Sequence, residues 1–130
     1  MEQGVERVAF PLTFLLKREG DQWASLACEV DVASCGDSLE SAREMLKDAV
    51  ETYVVYMING GHMQEVYRPV SEADISGFLT DPPGEHTEEA HILLVELRRA
   101  PGGGGVTVSE VSFVRSMMPA AAASSQGAGR

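Results

Sequence analysis

The chain is poor in the residues on which several classes of protein depend. It has two cysteines, one tryptophan and 6% aromatic residues among 130, and no apolar run approaches the roughly twenty residues of a membrane helix. No further cysteine and no clustered histidine completes a metal site or redox pair around the two cysteines. We expect free thiols, with Cys28 in the core and Cys35 at the edge of a turn. Because no cationic segment followed by an apolar one opens the chain, we expect a cytoplasmic protein.

Basic residues are half as numerous as acidic ones. Ten Lys and Arg against twenty Asp and Glu give a formal net charge of −10. The basic residues are scattered, whereas nucleic-acid-binding proteins concentrate them on one face. We therefore expect no direct binding to DNA or RNA. The acidity either favours a basic protein partner or serves solubility alone.

The segment 33–42 combines the end of a strand, a tight turn and a helix cap. Gly36 can take a positive φ without steric cost, and Asp37 or Ser38 offers an oxygen to the free N–H groups of the helix. Glu40 lies three residues after Asp37, which is the spacing of a capping box. These four residues are expected to define the fold at this point.

An amphipathic helix follows the cap. Its apolar residues recur every three or four positions, and Asn59, Gly60 and Gly61 end it. The face predicted to be buried carries Leu39, Ala42, Leu46, Ala49, Tyr53 and Tyr56, flanked by Met45, Val50 and Met57.

Alternating apolar residues predict strands before the helix. One face of the first strand carries Leu12, Phe14 and Leu16. The expected buried face of the second carries Ala24, Leu26, Cys28, Val30 and Val32. Trp23, Glu29 and Asp31 then lie on its outer face. A third strand covers residues 32–35, so the predicted order is a three-strand meander followed by a helix.

The second half of the chain predicts an extension of this unit. Ser71 can cap a short helix with Asp74 as its partner. The Pro and Gly residues within 81–85 end the regular structure and predict a loop. Apolar strands at 92–97 and 106–114 form a hairpin around a glycine-rich loop, and one of them should lie beside the first strand. The predicted fold is α+β, with one domain at residues 1–118 and a disordered Ala/Ser/Gly tail at 119–130.

This order of elements resembles the HicB antitoxin family. The likeness rests on two strands, a short third one and a helix entered through Gly-Asp-Ser-x-Glu-x-Ala, which starts at Gly36 and ends at Ala42, with a second alanine at Ala49. It covers residues 12–57. The resemblance implies a truncated RNase H-like sheet and a non-catalytic protein that neutralises a small basic RNase, the HicA toxin. Many members append a helix-turn-helix or ribbon-helix-helix segment; no such pattern occurs here, so we expect no operator binding.

Two other functions are compatible with the sequence. The chain could be a solitary HicB-like protein without a toxin partner, serving as an oligomeric scaffold or regulatory module. A divergent metal-dependent nuclease is the third hypothesis, because RNase H-like folds can hold two metal ions between carboxylates. Two observations argue against a metal site. Asp37 and Glu40 are assigned to the helix cap, and the histidines His62, His86 and His91 lie in separate segments.

The residues predicted to contact a protein partner are Trp23, Glu29 and Asp31. The two carboxylates would pair with Lys and Arg of the partner and speed association, while the indole would supply buried area. We predict no catalytic residue, no metal ligand and no cofactor site.

Overall fold

Five antiparallel strands and two α-helices make up the part of the chain that the computed structural model describes, residues 5–100, 102 and 104–115. The strands are β1 (Val5–Glu19), β2 (Gln22–Ala27), β3 (Val32–Gly36), β4 (His86–Arg99) and β5 (Val106–Arg115). The helices are α1 (Leu39–Asn59) and α2 (Glu72–Thr80), with a short 3-10 turn at Met63–Glu65 between them. The predicted tail at 119–130, and its boundary at 118, lie outside the described residues.

The sheet confirms the predicted meander and hairpin. Its strand order is β3-β2-β1-β4-β5, so β4 lies beside β1. Leu12, Phe14 and Leu16 belong to the core cluster, as their alternation predicts. We call the sheet face that they share with α1 the inner face, and the opposite one the outer face. The α+β class follows from this single sheet with its helices.

Helix α1 covers the inner face with one row of side chains. That row is Ala42, Leu46, Val50, Val54 and Ile58. The predicted face was partly wrong, because Tyr56 is 73% exposed and Met45 is 50% exposed. The second half of α1 is apolar on every side, from Val54 to Ile58. Sequence periodicity alone therefore could not choose the buried row, and contact with the sheet did.

The predicted faces of β2 are reversed in the structure. Phe14 pairs with Ala27, and residues directly opposite each other share a face, so Ala27 and Trp23 point toward α1. Ala27 is buried, and Trp23 packs against the core cluster instead of lying on the outer face. Leu26 is also buried, on the outer side. Because both faces of β2 carry apolar residues, the alternation did not indicate which one meets the helix.

The second strand is also shorter than predicted. It ends at Ala27, and residues 28–31 form a turn that leads to β3. Asp31 occupies a positive φ of 55° in that turn. Cys28 lies half-buried in the turn rather than in the core, and Cys35 is exposed on β3.

The turn into α1 depends on close approach rather than on a positive φ. Gly36 is not among the described residues with positive φ. A Cβ atom there would lie 2.5 Å from the backbone nitrogen of Ala42, so a larger residue cannot fit without a backbone shift. Ser38 is the N-cap and accepts a hydrogen bond from the Ser41 N–H at 3.0 Å. Glu40 is then the second helical residue, and the predicted Asp37–Glu40 capping box does not form.

Helix α2 lies over part of the outer face. Its N-cap is Ser71, as predicted, and the Ser71 hydroxyl accepts from the Asp74 N–H at 3.1 Å. Beneath its C-terminal end, Lys17 of β1 is only 1% exposed. The Lys17 ammonium donates to the Pro82 carbonyl at 2.9 Å and lies 5.1 Å from the centre of the Phe78 ring. None of the helices in the described part of the chain is both long and apolar enough to cross a bilayer.

Candidate protein-binding surface

The outward side of α1 carries a row of carboxylates. Glu40, Glu44 and Asp48 are exposed and follow one another at intervals of four residues, which places them on one side of a helix. Glu44 also forms an ion pair with Lys47, whose ammonium lies 3.4 Å from the Glu44 carboxylate. The local concentration of negative charge favours cationic partners on this side of the molecule.

Glu51 continues this row at its C-terminal end. It is half-buried, and burial raises the pKa of its carboxyl, with a further increase from the negative charge of Asp48 and a partial offset from Lys47. The row therefore extends over three turns of α1. A cation from a partner would relieve the repulsion among these carboxylates.

Two large apolar side chains border the acidic row. Tyr56 is 73% exposed and Met45 is 50% exposed, and both lie on the outward side of α1. Thr52 occupies the position between them and is exposed as well. We call the set of Glu40, Glu44, Met45, Asp48, Thr52 and Tyr56 the α1 surface. Exposed aromatic and methionine side chains beside charges are typical of protein interfaces.

The three residues predicted to bind a partner do not form one surface. Glu29 and Asp31 lie together in the turn after β2, whereas Trp23 lies near the opposite end of that strand. Four residues of strand, about 13 Å at the usual rise, separate Trp23 from Ala27. The role of the three residues in partner binding stays a prediction.

Glu29 has an internal function. Its two carboxylate oxygens accept hydrogen bonds from the backbone N–H of Thr13 at 2.7 Å and from the Thr13 hydroxyl at 2.8 Å. The pairing of β1 with β2 begins one residue later, at Phe14, so the carboxylate supplies the acceptor that the neighbouring strand no longer offers. Asp31 is exposed in the same turn.

An ionic cluster joins the inner side of α1 to β4. Arg43 donates two hydrogen bonds to the carboxylate of Glu89, at 2.8 and 2.6 Å. The imidazole of His91 lies 2.9 Å from the same carboxylate and against the ring of Phe14, with 4.3 Å between the ring centres. All three polar side chains are half-buried. The two hydrogen bonds from Arg43 to Glu89 join the helix to the sheet.

Glu89 is ionised over the whole physiological pH range. Burial by itself raises the pKa of this carboxyl, but hydrogen bonds from Arg43 and His91, together with their positive charges, outweigh burial and lower the pKa to about 2. The carboxylate holds both partners in place. A base that has to accept a proton near neutral pH needs a much higher pKa, so the geometry describes a structural ion pair.

The three histidines, His62, His86 and His91, lie in separate parts of the structure. His62 pairs with Glu65 beside the 3-10 turn at 3.1 Å, and His91 belongs to the ionic cluster. His86 is exposed at the start of β4. Within residues 5–100, 102 and 104–115, no group of three or more His, Cys, Asp or Glu side chains is arranged to hold a metal ion.

Comparison with known proteins leaves the family open. No protein-family model matches the chain, and no curated protein or solved structure is significantly similar to it. The resemblance to HicB antitoxins therefore stays a prediction from the sequence pattern. The fold itself is an α+β sheet with helices, which is compatible with that resemblance at the level of class.

The sequence carries a signal for the acidic part of the α1 surface. Glu40, Glu44 and Asp48 are spaced by four in a segment that apolar periodicity predicts to be helical. Met45 and Tyr56 carry no such signal, because apolar side chains at helical spacing usually indicate the buried face of a helix. Their exposure depends on the rotation of α1 about its own axis, which only packing against the sheet fixes.

Proposed function

We propose that this protein is a non-catalytic, HicB-like binding module whose α1 surface binds a basic protein. A small RNase toxin of the HicA type is the partner that the sequence resemblance suggests. The observation that carries the proposal is the juxtaposition on α1 of exposed carboxylates with the exposed side chains of Met45 and Tyr56.

The two parts of the α1 surface have separate physical roles. Carboxylates on an exposed helix attract a cationic protein over distances of about 10 Å at moderate salt and so increase the association rate. Tyr56 and Met45 lose water on contact and slow dissociation. A surface of this kind binds basic proteins with an affinity that falls as salt rises.

The distribution of basic residues also supports a protein partner. Six described cations pair with carboxylates of the chain itself, namely Arg7, Lys17, Arg18, Arg43, Lys47 and Arg99. They come from α1, β1 and β4, so they are not gathered on one face. Phosphate backbones bind where several free Lys and Arg side chains lie together, which disfavours nucleic acid as the ligand.

The proposal is tested by neutralising the acidic row. The triple variant Glu40→Gln, Glu44→Gln and Asp48→Asn should capture less of a small basic protein from lysate of the native cell at low salt than the parent chain captures. The bound protein is identified by mass and assayed for RNase activity with and without the parent chain. Inhibition of that activity by the parent, and weaker inhibition by the triple variant, are the expected results.

A matched control separates this surface from net charge. The variant Asp21→Asn, Glu72→Gln and Asp81→Asn removes three exposed charges from other elements and should behave like the parent. Equal losses for both triple variants would show that net charge alone mediates binding. Capture of the same basic protein by all three chains at high salt would rule out the α1 surface.

A further inference from the structure

The outer face of the sheet is divided into a covered half and a bare half. Helix α2 and the loop after it lie over Lys17, and Leu15 and Leu26 on the same side are buried. Toward β4 and β5, the described residues place no helix on this face. The bare half is therefore a sheet surface that no helix covers in the described part of the chain.

A continuous apolar area occupies the bare half. Its members are Ala9 and Pro11 on β1, Ile92 and Leu94 on β4, and Val114 on β5. Strand pairing places Ala9 opposite Leu94, Pro11 opposite Ile92, and Ile92 opposite Val114. Adjacent paired residues on one face touch across the strands, so the five side chains form one area. Ala9, Pro11 and Val114 are exposed, and the two β4 side chains are half-buried.

Charges of both signs border this area. Arg7 lies opposite Glu96, which lies opposite Glu110 on the next strand. Arg7, Glu96 and Glu110 line a shallow depression together with Leu94, Val95 and Ser112. The Arg7 side chain is 74% exposed although it pairs with Glu96 at 3.4 Å, so its guanidinium keeps donors for another acceptor.

We infer that the bare half of the outer face is the site where a second copy of this chain binds, through face-to-face packing of the two sheets. A two-fold axis brings the same patch of both copies together. Arg7 of each copy can then meet Glu110 of the other, so the interface gains two opposite-charge pairs. The apolar side chains between them form its centre, as in a β-sandwich.

The charge of the outer face favours a second copy of this chain over the basic partner. Two chains of net charge −10 repel each other most strongly where carboxylates are concentrated, as on the α1 surface. The outer face combines Arg7 and Arg98 with Glu96 and Glu110, which is close to neutrality. Two copies can therefore approach here with the least repulsion. The proposal is independent of the proposed function, because the α1 surface and the outer face lie on opposite sides of the sheet.

Sedimentation velocity on the full chain, from about 1 to about 200 µM, tests the proposal, since an interface near the small end of the usual size range gives a reversible dimer. We expect a concentration-dependent dimer for the parent chain. The variant Leu94→Lys should be monomeric over the same range. Tyr56→Lys, on the α1 surface, should dimerise as the parent does and serves as the matched control.

A charge swap keeps the test informative if Leu94→Lys disturbs folding. Arg7→Glu and Glu110→Arg should each weaken dimerisation about tenfold, and the double variant should restore it, because the pairs re-form with exchanged signs. Circular dichroism checks that each variant is folded. A parent chain that is monomeric throughout overturns the inference, as does a dimer that Tyr56→Lys dissociates or that the swap leaves unchanged.

Discussion

Arg43 on α1 holds the carboxylate of Glu89 on β4 with two hydrogen bonds, of 2.8 and 2.6 Å. The two residues are 46 positions apart in the sequence, and the contact crosses the layer between helix and sheet. His91 completes the cluster from the same strand at 2.9 Å. This contact joins the N-terminal half of α1 to the inner face of the sheet.

The first prediction concerns the pH dependence of this cluster. The pKa of Glu89 in the folded protein is about 2, below its ordinary value of 4.5. A lowered pKa contributes stability that is fully present above the ordinary value and is lost as the pH falls through the folded one. Because the cluster is half-buried, solvent screens part of this effect. We expect the Glu89 ion pair to contribute about 1–2 kcal/mol to the free energy of unfolding at pH 7.

Urea unfolding at several pH values measures this contribution. Glu89→Gln should lower the free energy of unfolding at pH 7, and its difference from the parent should shrink between about pH 4.5 and pH 2. Glu85→Gln is the control, because that carboxylate is exposed and lies 3.8 Å from Arg18. A difference for Glu89→Gln that does not change with pH would contradict the ion-pair interpretation.

The second prediction concerns the turn into α1. Gly36→Val should destabilise the protein by about 1–3 kcal/mol, because the added atoms overlap the first turn of the helix. The distance of 2.5 Å between a Cβ at this position and the Ala42 nitrogen leaves no room. Gly77→Ala in α2 is the control: a Cβ there meets nothing within 4 Å, and alanine favours a helix. In thermal unfolding, Gly77→Ala should have a higher melting temperature than the parent, and Gly36→Val should have a lower one.

The third prediction concerns Lys17, the buried cation under α2. Lys17→Met keeps most of the buried stem but removes the donor to the Pro82 carbonyl and the ion pair with Glu19 at 3.0 Å. We expect a loss of about 1–3 kcal/mol in unfolding free energy. Hydrogen exchange should accelerate more in α2 than in β4. Uniform acceleration across both elements would indicate that Lys17 stabilises the whole domain instead of fastening α2.

The fourth prediction concerns the reactivity of the two thiols. Burial, followed by the negative charges of Glu29 and Glu88, raises the pKa of Cys28 to about 11. Alkylation proceeds through the thiolate, so at pH 8 Cys28 should react about a hundredfold more slowly than a thiol with the ordinary pKa of 9.0. Iodoacetamide labelling of Cys28→Ser and Cys35→Ser variants, read by mass, measures each thiol separately. In urea the two rates should converge.

Local signals in the sequence determined the bounds of the helices, the position of the β3–α1 turn and the C-terminal hairpin. Ser38 and Ser71 cap helices because their hydroxyls accept from N–H groups three residues away, an interaction that needs no distant part of the chain. The hairpin followed from two apolar runs around a glycine-rich loop. The acidic row of the α1 surface was likewise present as a spacing of four residues.

Only the tertiary structure decided which faces are buried. Leu26 and Ala27 are both buried, on opposite sides of β2, so alternation alone placed Trp23 on the wrong face. Tyr56 fitted a core pattern and is exposed, because the row that ends at Ile58 meets the sheet instead. The reason is the same in both cases: a segment with apolar residues on two sides has no intrinsic orientation, and the neighbouring layer selects one.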